Sequence, residues 1–133
     1  MISARKLRHA AALVAFAAFV SSASIADAAN FAGTWAFSGS NGAGGMVAPV
    51  CVFRQNASKI GGSCKGPNGI GSAAGLVNGR AIVLQWHVIA TTSRGTSGIV
   101  TFKGVWGSDG DIRGTWLHSA APAVIGPFTA QKL

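Results

Sequence analysis

Beyond Asp27 the chain has two carboxylate side chains, Asp109 and Asp111, and it contains no glutamate and no tyrosine. The two aspartates flank Gly110 in a hairpin-turn pattern, where turn formation accounts for them. They sit on one turn, so they cannot face each other across a cleft as glycoside hydrolysis requires, and calcium would need more oxygen ligands. His87 and His118 are the histidines beyond residue 29. Strand alternation turns His87 outward and His118 inward, which separates them as metal ligands or relay partners. His118, beside Trp116, is either an accommodated strand-end residue or a hydrogen-bonding group at a pocket rim. No Gly-x-Ser-x-Gly elbow occurs, and the segment Gly39-Ser-Asn-Gly-Ala-Gly-Gly45 lacks the Lys-Ser/Thr of a phosphate loop. It reads as a flexible connection or a flap over one end of the fold. No catalytic residue, metal site or cofactor is expected, and the chain is not read as an enzyme.

Cys51 and Cys64 are the two cysteines. Their flanking segments surround Asn56-Ala-Ser-Lys59, and a two-residue turn at Ala57-Ser58 would place them directly opposite, as a cross-strand disulfide. They lack the partners of a zinc site and the close spacing of a redox pair.

Such a bridge needs an oxidising compartment, and the first residues supply the route. Arg5, Lys6 and Arg8 precede an apolar run from Ala10 to Val20 that ends near Ala26-Asp-Ala28, the pattern of a cleaved secretory signal over 1–29. The run is shorter than the roughly 20 residues of a membrane span. What remains, 30–133, is one small domain, exported to the periplasm or medium, with no membrane span after cleavage. It keeps eight basic and two acidic residues, a net +6. The basic residues fall singly on different strands and the aromatics point inward, so a solvated basic surface is preferred to nucleic-acid binding.

The elements that must position these residues are strands. A pattern of apolar residues two positions either side of a glycine recurs in Phe31-Ala-Gly-Thr-Trp35, Ile60-Gly-Gly-Ser-Cys64, Ala73-Ala-Gly-Leu-Val77, Phe102-Lys-Gly-Val-Trp106 and Ile112-Arg-Gly-Thr-Trp116. With period two, the glycine and its bulky neighbours share a face, which suits a tightly curved sheet. Strands are expected at 31–38, 46–55, 59–65, 71–78, 80–90, 97–106, 111–118 and 123–132, with turns that include Asn78-Gly79 and Asp109-Gly110. Short connections make this an all-β, antiparallel up-and-down meander, closed as an eight-stranded barrel, with a flattened sandwich as the alternative. Placing Arg54, Lys59, Lys65, Lys103 and Arg113 outward sends all four tryptophans inward, together with both cysteines and His118. The motif glycines then leave room for neighbouring rings and let the strands coil. Outward Val83, Ile89, Ile99 and Val105 on two adjacent strands suggest a homodimer interface.

In this order the motifs resemble the avidin and streptavidin family and, more loosely, the lipocalins. Phe31-Ala-Gly-Thr-Trp35 is similar to the family's opening strand, Ile60-Gly-Gly-Ser-Cys64 to its Gly-Thr-Tyr strand, and Val83-Leu-Gln-Trp86 to the strand whose tryptophan lines the biotin pocket. Phe102–Trp106, Ile112–Trp116 and Ile125–Thr129 follow in the family's order. The resemblance implies a ligand-holding barrel with Trp86 and Trp116 as pocket walls and Phe102 in place of another. Where the family has its tyrosine this chain has Cys64, and Ile125-Gly-Pro127 offers no carboxylate, so the polar contacts to biotin are largely missing.

Two functions follow. One is a non-enzymatic barrel holding a small apolar or aromatic molecule among Trp35, Trp86, Phe102, Trp106, Trp116 and His118, unless those rings simply fill the interior. The other is an interaction protein, such as an inhibitor of an envelope or extracellular hydrolase, acting through loops 39–48, 91–97 and 119–123. An interior void of several hundred cubic ångströms would favour the ligand.

Overall fold

The computed structural model describes residues 30–120 and 123–133, so the expected signal segment lies outside the described residues. The described residues form nine strands: β1 (Gly33–Ser40), β2 (Met46–Val47), β3 (Val50–Asn56), β4 (Lys59–Lys65), β5 (Gly69–Asn78), β6 (Ala81–Ala90), β7 (Gly98–Trp106), β8 (Ile112–His118) and β9 (Val124–Lys132). No helix among the described residues is long and apolar enough to cross a membrane. All pairings are antiparallel between neighbours in order, and β9 returns to pair with β1, closing the sheet.

The strand expected over 46–55 is divided into β2 and β3, yet both keep a single register on β1, with Gly39 opposite Val47 and Ala36 opposite Val50. Between them the Phe37 N–H donates to the Pro49 carbonyl at 2.9 Å. Pro49 has no N–H to give in return, so the ladder is interrupted without slipping. Burial alternates through the interruption, with Val47, Pro49, Cys51 and Phe53 all inward. Taken as one strand, β2 and β3 complete the expected closed barrel of eight.

Cys51 opposes Cys64 across β3 and β4, and the sulfurs are bonded at 2.05 Å. The two-residue turn Ala57-Ser58 sets this register, at the cost of a positive φ of 55° on Ala57. The turn expected at Asn78-Gly79 lies one residue on, at Gly79-Arg80, because Asn78 still pairs with Ala81.

Alternation assigned the faces correctly: Trp35, Phe37, Phe53, Ile60, Leu84, Trp86, Phe102, Ile112, Trp116 and Phe128 are buried, while Trp106 and His118 are half-buried. Two expectations need correction. A Cβ on Gly62 would stand 1.9 Å from the Val52 carbonyl oxygen, and one on Gly114 1.9 Å from that of Lys103. These glycines admit the neighbouring backbone, which is how the sheet coils. Of the five motif glycines, Gly104 alone, where a Cβ would lie 2.9 Å from the Phe128 ring, spares room for an aromatic. On the outer face, the four aliphatics expected side by side on β6 and β7 are not cross-strand partners of one another: Val83 is opposite Lys103, Ile99 is opposite His87 and Val105 is opposite Ala81.

Candidate ligand-binding site

The two ends of the barrel differ. At one end lie the turns Ala57-Ser58 and Gly79-Arg80, the β7–β8 turn and the termini of β1 and β9. Here the interior is plugged. Phe31 stacks on Trp35 at 4.5 Å, Trp106 meets Trp35 edge-on at 5.3 Å, and Phe31 lies 5.1 Å from Phe53. The Trp35 indole donates to the Phe31 carbonyl at 3.0 Å, so its polar atom is satisfied inside the plug. One layer up, Phe37, Phe102 and Phe128 pack with centroids 4.7 to 5.8 Å apart. The aromatic interior is therefore a filled core through its lower half.

The other end is open. The connections at 41–45, 66–68 and 91–97 and the described residues 119, 120 and 123 surround it, and a cavity of about 740 Å³ lies among them. Trp86 and Trp116 are part of its lining, joined by Val47, Val88, Val100 and Val124 from the strands and by Arg94 and Thr96 from the β6–β7 loop. Gly39 makes room for one wall, because a Cβ there would stand 2.6 Å from Cδ1 and Nε1 of Trp116. Trp86 and Trp116 are 3 % and 2 % exposed, and neither indole N–H has an acceptor among the described residues. A buried donor without a partner costs about 1–3 kcal/mol. Nearly all buried polar atoms in folded proteins avoid this, so a pair of them beside one cavity marks the place.

His118 lies on the rim with both ring nitrogens engaged. Nδ1 accepts from the Ala120 N–H at 3.0 Å, which leaves Nε2 to donate to the Thr96 carbonyl at 3.0 Å. This puts the donated proton on Nε2 and ties the β6–β7 loop to the β8–β9 connection. Asn68 accepts from the Thr91 N–H at 2.9 Å and from the Thr92 hydroxyl at 2.8 Å, which ties in the β4–β5 loop. The β1–β2 loop is different. Asn41 caps it internally, accepting from Ala43 and Gly45 at 2.9 and 2.8 Å, and the positive-φ residues Gly42 and Gly44 have nothing within 4 Å of a Cβ position. Three loops form a braced rim and the fourth stands by itself, where a flap was expected.

No carboxylate lines the cavity, and Arg94 makes no ion pair among the described residues. Both aspartates are at the plugged end. Asp109 is held by Arg113 at 2.7 Å, and that bond, helped by the Asp111 N–H, lowers its pKa to about 2. No group of three His, Cys, Asp or Glu among the described residues could hold a metal.

Of the residues expected at a site, Trp86, Trp116 and His118 come together at the mouth. Trp35 and Trp106 belong to the plug, and Phe102 to the central layer. Arg94 and the valine lining were not singled out in the sequence, since nothing marks a loop arginine or an inward valine as cavity-facing. No family model, curated protein or solved structure matches the chain.

Proposed function

We propose that this is an exported, non-enzymatic barrel that binds a small planar, largely apolar molecule in its mouth. The observation that carries the reading is the cavity of about 740 Å³ bounded by two tryptophans whose N–H groups lack acceptors. Indole and valine surfaces favour a flat apolar body. The Trp116 Nε1 lies beside Gly39 and the Trp86 Nε1 beside Gly71, so a ligand carbonyl that reaches either donor has to shift the indole, and pairing the unpaired N–H would offset that cost. Arg94 at the rim favours a ligand carrying an acidic group at its outer edge. The Cys51–Cys64 bridge is compatible with an oxidising, exported setting. The closed meander is compatible with the avidin and lipocalin plan, from which the proposal takes the barrel and not the biotin contacts.

The test is a titration of intrinsic fluorescence with planar aromatics, each with and without a ring carbonyl. Micromolar binding by the carbonyl forms is expected, weakened about tenfold in Trp116→Phe, which keeps the wall and loses the donor. No response from any compound, with capture of a protein through the mouth loops, would favour the inhibitor reading instead.

A further inference from the structure

The basic residues look scattered along the chain, but height along the barrel depends on where each strand starts and stops. The plugged end gathers the last residues of β3, β5, β7 and β9 and the first of β1, β4, β6 and β8. Six of the eight basic residues beyond residue 29 lie at or near it. Arg54 is two residues from the end of β3, Lys59 opens β4, Arg80 is in the β5–β6 turn, Lys103 is three from the end of β7, Arg113 is second in β8 and Lys132 closes β9. All six are exposed, whereas only Lys65 and Arg94 are nearer the mouth. Asp109 and Asp111 share this end, but both face Arg113, at 2.7 and 3.7 Å. The other five cations have no carboxylate partner among the described residues.

Exposed aliphatic groups lie between these charges. Lys59 is opposite Leu76, Leu76 opposite Val83, and Val83 opposite Lys103, one outward row across four strands with a cation at each end. Leu76 and Val105 are each 57 % exposed. Cations flanking exposed aliphatics complement a surface with anionic headgroups above an apolar layer. Single-stranded nucleic acid fits less well, because it needs exposed aromatics for stacking and every phenylalanine and tryptophan among the described residues is buried or half-buried.

We propose that the plugged end of the barrel docks on an anionic lipid surface, with headgroup phosphates on Arg54, Lys59, Arg80, Lys103 and Lys132 and with Leu76 and Val83 at the interface. Docked in this way, the barrel holds its ligand mouth away from the surface. The proposal does not depend on what the mouth binds.

The test compares two double variants with the same change in net charge: Arg54→Glu/Lys59→Glu at the plugged end and Lys65→Glu/Arg94→Glu nearer the mouth. Because β9 closes on β1 within residues 30–133, the barrel without residues 1–29 is used, which removes the basic, apolar N-terminal segment as a second source of membrane binding. Binding is measured to phosphatidylcholine vesicles with and without about one-third phosphatidylglycerol, at about 0.05 and 0.5 M salt. The unaltered protein should sediment with the anionic vesicles only, and only at the lower salt. The plugged-end variant should lose at least about tenfold in partitioning, each cation near the surface being worth about fivefold, while the other variant stays within about twofold. Equal losses in both variants, equal binding to neutral vesicles, or binding to single-stranded DNA with none to vesicles would overturn the proposal. A urea midpoint for each variant confirms that it is folded.

Discussion

Trp116 lies against Gly39, whose missing side chain leaves the space that Cδ1 and Nε1 of the indole occupy: a Cβ there would be 2.6 Å from both. The same Cβ would be 2.9 Å from Val47, so the ring cannot escape sideways without moving a second wall of the cavity. Gly39→Ala should therefore destabilise the barrel by about 1–3 kcal/mol and displace the indole. Chemical denaturation followed by tryptophan emission reads both effects, and an unchanged midpoint and spectrum would show that the ring is not held there.

Gly114 makes a different prediction, because what its Cβ would strike is the Lys103 carbonyl at 1.9 Å, which is backbone and cannot turn aside. Gly114→Ala should cost more than about 3 kcal/mol, since β7 and β8 would have to separate. Gly42→Ala is the control. Its surroundings are open and only its φ of +77° opposes a side chain, so about 1 kcal/mol is expected, measured by the same denaturation.

The Cys51–Cys64 bridge closes a short loop, with a sequence separation of 13. Replacing both cysteines by alanine should lower stability by about 3 kcal/mol in the chain-entropy model, with some added cost from the small void left. Equal urea midpoints for the double variant and the parent would remove the bridge from the list of stabilising features.

Strong acid should loosen the ion pair at the plugged end. The pKa of Asp109 is lowered to about 2, first by its bond to the Arg113 side chain and then by the Asp111 N–H. With the folded value below the unfolded one, its contribution is fully present above about pH 4 and is lost as the pH falls toward 2. In Arg113→Ala the carboxyl should titrate closer to its ordinary value, which NMR titration of Asp109 would show. No change on removing Arg113 would contradict the assigned cause.

Period-two alternation made most of the fold legible in the sequence. It placed every tryptophan on the inner face, and the two-residue turn at Ala57-Ser58 fixed the cysteine pairing. What alternation cannot provide is height along the barrel axis. That is why Trp35 and Trp86, indistinguishable by parity, end up in the plug and in the mouth. It is also why Arg54 and Lys132, far apart in sequence, end up at the same end. Height follows from long-range register, which no local pattern carries. The partners of His118 were hidden for a related reason: Thr96 and Ala120 are set by loops whose course the sequence does not dictate.

The most direct test of a ligand site in the mouth is the response of the four indole N–H resonances in a ¹⁵N–¹H NMR titration, assigned with single Trp→Phe variants. Trp35 is an internal control, because its N–H is already bonded to Phe31 inside the plug, whereas those of Trp86 and Trp116 have no acceptor. A planar ligand bearing a carbonyl should shift the Trp86 and Trp116 resonances saturably and leave that of Trp35 in place. Saturable binding that moves the Trp35 resonance and not the other two, or that moves none of the four, would contradict a mouth site.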